Sequence, residues 1–330
     1  MLGEPWHRII SITSTDPDRS PARHPGGDYA LDRGFRGIAW TSAALILALV
    51  AYIIVEIGGK ALPAIAEYGF GFLTSTTWNV QEGHFGILPE IWGTLYSSLL
   101  ALILGGVFGI TIAIFLTQDF LPSRLAVVFR TIIELLAAIP SVVFGLWGIY
   151  VLIPMLRPAA NWLHEEFGVV PFFGTSLSGP GLAPAALVLA IMILPTVASI
   201  SVDALRQIPY KVKEAAYGMG TTRWEAILKV MLPTAGSGIL AALVLGFGRA
   251  LGETMALAML IGNSNQISLS LFAPANTLAA LLASNFPEAG EVEVQALMYA
   301  ALALLAITLV VNIVGLAAMK FATRKFEAER

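Results

Sequence analysis

Six apolar runs, each long enough to cross a bilayer, constrain this chain before anything else does. They fall at about residues 37–57, 91–116, 126–156, 183–203, 236–262 and 294–319. A hydrocarbon core about 30 Å thick is crossed by roughly 20 apolar helical residues. Inside lipid every backbone N–H and C=O must be paired within the chain, so such runs become helices. The composition agrees. The chain is 57% hydrophobic and 12% charged, against roughly a quarter charged in soluble domains. The expected fold is therefore an all-α integral membrane protein with six transmembrane helices, embedded in a lipid bilayer.

The third run is long for one crossing, and Pro140 inside it predicts a kink. Pro140 and Ser141 form either a gate or a simple bend. Gly105, Gly106 and Gly109 in the second run favour close helix packing.

Lysine and arginine set the expected orientation. The leader carries Arg8, Arg19, Arg23, Arg33 and Arg36, whereas the loop after the first run has Lys60 alone. Arg124 and Arg130 precede and open the third run, and Arg157 follows it. Arg206, Lys211, Lys213, Arg223 and Lys229 crowd the loop before the fifth run. The loop after that run has none, and the C-terminus carries Lys320, Arg324, Lys325 and Arg330. By the positive-inside rule both termini are cytoplasmic, with residues 1–36 a disordered tail and 323–330 a second tail around a single transmembrane domain at 37–322. The leader is too long and polar to start a cleavable signal peptide. One cation stands outside this pattern: Arg249.

The sequence excludes several classes. There is no cysteine, so disulfides, thiol catalysis and Cys-based zinc sites are out. The net charge of −3 is close to neutral and gives no sign of nucleic-acid binding. His7, His24, His84 and His164 are scattered, and no metal site follows from them. No G-x-x-x-x-G-K-[ST] loop is present to cradle a nucleotide.

The loop at about 205–232 carries the most specific motif. "PYKVKEAAYGM" opens on a proline suited to a first helical turn, and "TTRWEAIL" restarts a helix with Thr221 or Thr222 as its N-cap. An ordinary interfacial helix accounts for "EAA" alone. The longer spacing E-A-A-x3-G-x9-I-x-L-P does not reduce to that, and it resembles the cytoplasmic signature of ABC importer permeases. Glu214, Ala215, Ala216, Gly220, Leu232 and Pro233 fall on it, with Val230 in place of the usual isoleucine.

Longer stretches resemble the PstC-type permease family of phosphate ABC importers. They are "HFGILPEIWGTLYSSLLALILG" (84–105), "ELLAAIPSVVFGLWG" (134–148), "GRALGETMALAMLIGN" (248–263) and "TLAALLASNFPEA" (277–289). The resemblance implies a type I ABC importer permease fold with a cytoplasmic coupling helix. It also implies a second homologous permease subunit, two ATPase subunits that hold ATP and Mg, and an extracytoplasmic phosphate-binding protein. This chain would hold no cofactor and would not be an enzyme. The implied location is the cytoplasmic (inner) membrane.

Arg249 and Glu253 stand four residues apart in the fifth run, a spacing that puts both on one face of a continuous helix. A central arginine costs at least about 2.5–3.5 kcal/mol to insert. Two readings fit. The pair locks the bundle internally, or it lies on an anion pathway, where the guanidinium fork suits phosphate oxygens. Glu253 would then brace the fork and accept a hydrogen bond from P–OH, which sulfate and molybdate lack. Arg130 and Glu134 read as an interfacial helix pair. An importer of another oxyanion and an ion-coupled secondary transporter are the rival functions.

Overall fold

The computed structural model describes residues 27–118 and 120–328, with side chains from 32 to 320 apart from 119 and 123. Most of the 1–36 tail expected from sequence lies outside the described residues. The chain divides into two units after Val55. In the first, helix α1 (Gly27–Tyr68) is under way ten residues before the expected span, and its residues 32–55 are exposed throughout. An all-round apolar helix of this kind is suited to lipid, not to water.

In the second unit, the last turns of α1 bury Ala61 and Ala64. A two-stranded hairpin follows, β1 (Trp78–Asn79) against β2 (His84–Phe85). Then come α2 (Leu88–Thr117), α3 (Ser123–Ala138), α4 (Ser141–Phe167) and α5 (Leu182–Arg206). The loop helix α6 (Tyr210–Gly218) leads into α7 (Arg223–Thr234), which meets α8 (Gly236–Leu251) at a 70° bend. Short helices α9 (Met255–Leu260) and α10 (Leu278–Asn285) precede the long α11 (Glu291–Ala328). Among the described residues, five helices are long and apolar enough to cross a membrane, or six if the bent α7–α8 pair is one span.

Two expected spans differ in the structure. The third run is two helices, not one kinked helix. Ile139 is extended (φ −70°, ψ 127°) and Pro140 caps α4. Proline disfavours a helical residue before it, which ends α3. The crossing helix is then α4, which continues to Phe167, well into the expected loop. The fifth run also breaks. α8 stops at Leu251, and α9 starts at Met255.

Small residues set the packing. A Cβ on Gly105 would sit 2.7 Å from Ile193 Cγ1 and 2.8 Å from the Ala190 carbonyl. One on Gly109 would sit 2.9 Å from Val197 Cγ1. Glycine therefore lets α2 lie directly on α5, as small residues do in membrane helix pairs. Gly246 does the same for α8 on α5, and Gly145 and Gly148 for α4 on α9. The core between them holds Leu189, Ile193, Leu257, Leu260 and Ile261. Large side chains such as Leu309, Val310, Ile313 and Val314 of α11 remain exposed, a surface matched to lipid or to a partner helix.

A tight turn closes α9. Gly262 has φ +103°, a conformation L side chains rarely adopt, and a Cβ there would lie 2.6 Å from Pro274. The chain beyond it folds back over the bundle. Ala275 N–H donates to the Ile261 carbonyl at 2.9 Å, and Trp92 and Tyr96 of α2 donate to the carbonyls of Ser268 and Leu269.

Candidate functional site

Arg249 lies in the last turn of α8, and its guanidinium donates to the Thr196 hydroxyl at 3.1 Å. Thr196 follows Pro195 in the interior of α5. Pro195 has no N–H to give, so the helix there lacks one backbone bond and presents polar atoms near the contact. Arg249 is exposed on this chain, whereas its neighbours Ala250 and Leu251 are buried.

Glu253 does not pair with Arg249. It sits in the break between α8 and α9, and its Oε1 accepts the Ala256 N–H at 3.3 Å. The four-residue spacing placed the two on one helical face, but that holds for an unbroken helix and α8 ends between them. A carboxylate over the first free N–H groups of a helix is a favourable cap. Glu253 thus starts α9 and holds the break in shape. Among the described residues the polar partner of the Arg249 guanidinium is the Thr196 hydroxyl, a neutral group.

Pro140 and Ser141 begin α4, whose Gly145 and Gly148 pack on Met259 and Leu260 of α9. The gate candidates and Glu253 are therefore linked through one helix–helix contact. Arg130 and Glu134, expected as a pair, form no ion pair. Both line a cavity of about 220 Å³ with Ser199 and Asp203 of α5.

The loop motif forms as the sequence predicts in part. Pro209 caps α6, and Gly220 takes φ +79° to turn the chain. Thr222 is the N-cap of α7, with a full capping box. Its hydroxyl accepts the Glu225 N–H at 3.3 Å, and its own N–H donates to Glu225 Oε2 at 3.0 Å. These bonds, with Lys229 3.3 Å away, hold the Glu225 carboxyl well below the usual carboxylate range. On α6, Ala216 is buried against Ile227 and Met231, while Glu214 and Ala215 face outward. Leu232 and Pro233 lie at the 70° bend, and Leu232 packs on the same cluster as Ala216. The motif therefore divides into an outward face and an anchoring face.

One tie was not foreseen. Arg223 donates to the Gln118 carbonyl at 2.7 Å and lies 4.4 Å from the Phe120 ring centre. Trp224 stacks on Phe120 as well. The α2–α3 connection is thus bound to the loop. A cavity of about 510 Å³ opens between them, lined by Gln118, Tyr210, Lys213, Glu214, Tyr217 and Arg223. The aromatic at 120 and the pair at 223–224 were visible in sequence, but their meeting across a hundred residues was not. Thr196, Ser199 and Asp203 were also overlooked. Their spacing of three and four residues in an apolar helix was the available sign.

Crossing helices pack around a glycine-lined core, with a structured loop before the bent pair. The same fold is seen in importers. A bacterial alginate ABC transporter, solved with an alginate pentasaccharide-bound periplasmic protein, matches with a TM-score of 0.60 at 16% identity, covering 88% of this chain and 94% of that chain. An inward-facing MetNI methionine ABC transporter matches with a TM-score of 0.53 at 19% identity, covering 72% of this chain and 95% of that chain.

The family model for the binding-protein-dependent transport system inner membrane component matches residues 105–327, and the chain belongs to that family. Among curated proteins, the phosphate transport system permease protein PstC of Mesorhizobium japonicum is 39% identical over 286 residues, spanning 85% of this chain and 87% of its own. The protein of the same name from Pasteurella multocida is 40% identical over 283 residues, spanning 84% and 88%.

Proposed function

We propose that this chain is the permease subunit of an ATP-driven importer that carries inorganic phosphate across the cytoplasmic membrane. The observation that carries this reading is Arg249. It is the cation that topology does not explain, set at the end of a membrane helix with a neutral hydroxyl as its partner. Such an arginine offers two parallel N–H donors to a tetrahedral oxyanion without first giving up a carboxylate. The near full-length similarity to phosphate permeases supports the choice of anion.

In this reading a second homologous permease completes the pathway. An extracytoplasmic binding protein delivers phosphate, and two ATPase subunits bind ATP and Mg and dock on the outward face of α6. Glu214 and Ala215 meet the ATPase, while Ala216, Gly220, Leu232 and Pro233 transmit its movement into the bend before α8. Pro140 and Ser141 act as the gate, reached from Glu253 through α9. Both termini face the cytoplasm, and the permease domain spans 37–322 between the tails 1–36 and 323–330. Arg249 touches the anion in passing, and Glu253 keeps the break open for it.

The test is uptake of radiolabelled phosphate by the complete complex in proteoliposomes, with ATP and with excess sulfate or molybdate as competitors. ATP-dependent uptake that neither competitor reduces is expected. Uptake that persists on an ion gradient without ATP would sink the reading, and so would equal competition by sulfate.

A further inference from the structure

The cavity between α3 and α5 has no part in the pathway described so far. Arg130, Ile133 and Glu134 line it from α3, Ser199, Val202 and Asp203 from α5, and Leu116 from the end of α2. Its volume, about 220 Å³, exceeds that of a tetrahedral oxyanion and leaves room for water. Arg130 makes no hydrogen bond or ion pair among the described residues, although Glu134 is one turn away. Its fork is therefore available.

The place of this cavity in the fold gives it meaning. Thr196, Ser199 and Asp203 follow one another at three and four residues, so they share one face of α5. Thr196, at the top of that face, holds Arg249. Asp203 lies about 10 Å further along the axis at 1.5 Å per residue. The Ser199 hydroxyl donates to the Thr196 carbonyl at 3.2 Å, which leaves its oxygen lone pairs to accept. The polar face thus leads from one arginine to the other.

We propose that this cavity is a second anion station, which receives phosphate after Arg249 and favours a protonated oxyanion. This inference rests on the reading of the chain as a phosphate permease. Arg130 supplies the cationic donor. Ser199 Oγ, Asp203 and Glu134 supply acceptors and no further cation. Phosphate near neutral pH carries P–OH groups that donate to such acceptors. Sulfate has none, so the same carboxylates repel it without compensation. The two carboxylates also weaken the hold of Arg130, which keeps the station one that releases its guest.

The experiment uses the full complex in proteoliposomes preloaded, on the nucleotide side, with phosphate or with sulfate. Initial uptake of radiolabelled phosphate is measured for the wild type, Arg130→Gln and Arg130→Lys. Preloading phosphate to twice the dissociation constant of the station leaves a third of the carriers open, so wild-type uptake falls about threefold. Preloaded sulfate leaves it unchanged. Arg130→Gln loses the sensitivity to preloaded phosphate while it still hydrolyses ATP in response to the loaded binding protein, and Arg130→Lys keeps the sensitivity. A merely structural arginine would not create a difference between two preloaded anions. The proposal is overturned by a wild type insensitive to preloaded phosphate, by equal inhibition from sulfate, or by an Arg130→Gln variant as sensitive as the wild type. A wild-type complex that takes up no phosphate overturns the functional reading itself, and this station with it.

Discussion

Arg249 reaches across to Thr196 on the neighbouring helix and not to Glu253 on its own chain segment. The charge is held by a neutral hydroxyl. The Thr196 partner can be removed without adding a charge, and the exposed guanidinium keeps its own. Thr196→Val is therefore expected to insert and assemble normally, and to slow phosphate uptake several-fold by loosening the guanidinium. Arg249→Lys loses the fork itself and is expected to slow uptake by at least about tenfold, a loss of about 1.4 kcal/mol or more in transition-state binding. Initial rates in a binding-protein-dependent assay rank the two. A Thr196→Val variant slower than Arg249→Lys would contradict this assignment.

Glu253 caps α9, and in the proposed pathway its charge also accepts a hydrogen bond from P–OH; two substitutions part these roles. Glu253→Gln keeps an oxygen that accepts the Ala256 N–H, so α9 keeps its start. It loses the negative charge, and phosphate uptake is expected to fail in a complex that still assembles. Glu253→Ala removes the cap too, at about 1 kcal/mol, and is expected to lower the thermal midpoint of the purified complex as well. Equal midpoints for the two variants would count against the capping role.

Gly105 tests the contact between α2 and α5. A side chain there meets the Ala190 backbone carbonyl, which cannot rotate away as a side chain could. Gly105→Val is expected to destabilise the protein by roughly 1–3 kcal/mol, as overpacking does, and to cut its yield in membranes. Gly58, with open space around it, serves as the control, and Gly58→Ala is expected to leave the yield unchanged. A normal yield for Gly105→Val would show that the helices can separate.

Thr222 tests the loop. Thr222→Ala removes the cap of α7, worth about 1 kcal/mol, so the phosphate carried per ATP is expected to fall about fivefold while ATP hydrolysis continues. The Glu225 carboxyl is held low by Thr222 and Lys229. A depressed folded value gives stability that is present above the ordinary carboxylate range and lost only below it. The capping box is therefore expected to be insensitive to pH between 5 and 8, which coupling ratios measured across that range would check.

Much of this architecture was open to a reader of the sequence. The apolar runs gave the helices, and of the two N-caps that the loop motif offered, Thr221 and Thr222, the structure uses Thr222, while Pro209 stands just before α6 and not in its first turn. Both failures involve helix ends inside apolar runs. Ile139–Pro140 was read as a kink because a proline in a membrane helix often bends it without breaking it. Leu251 was read as mid-helix because Gly252 alone does not stop a helix. Glu253 completes that break by capping the next one, and this needs the three-dimensional path of the chain. Partners from other helices were beyond reach for the same reason. Nothing near Arg249 in sequence names Thr196, and nothing near Arg223 names Gln118.

The glycine seam between α2 and α5 has a mechanical consequence. The Ile193 and Val197 side chains of α5 seat directly on Gly105 and Gly109, so the two helices interlock and do not slide past each other freely. They form a keel. In the proposed transport cycle a stroke delivered through α6 would be taken up around that keel, at the helix breaks by Pro140, Ala235 and Gly252.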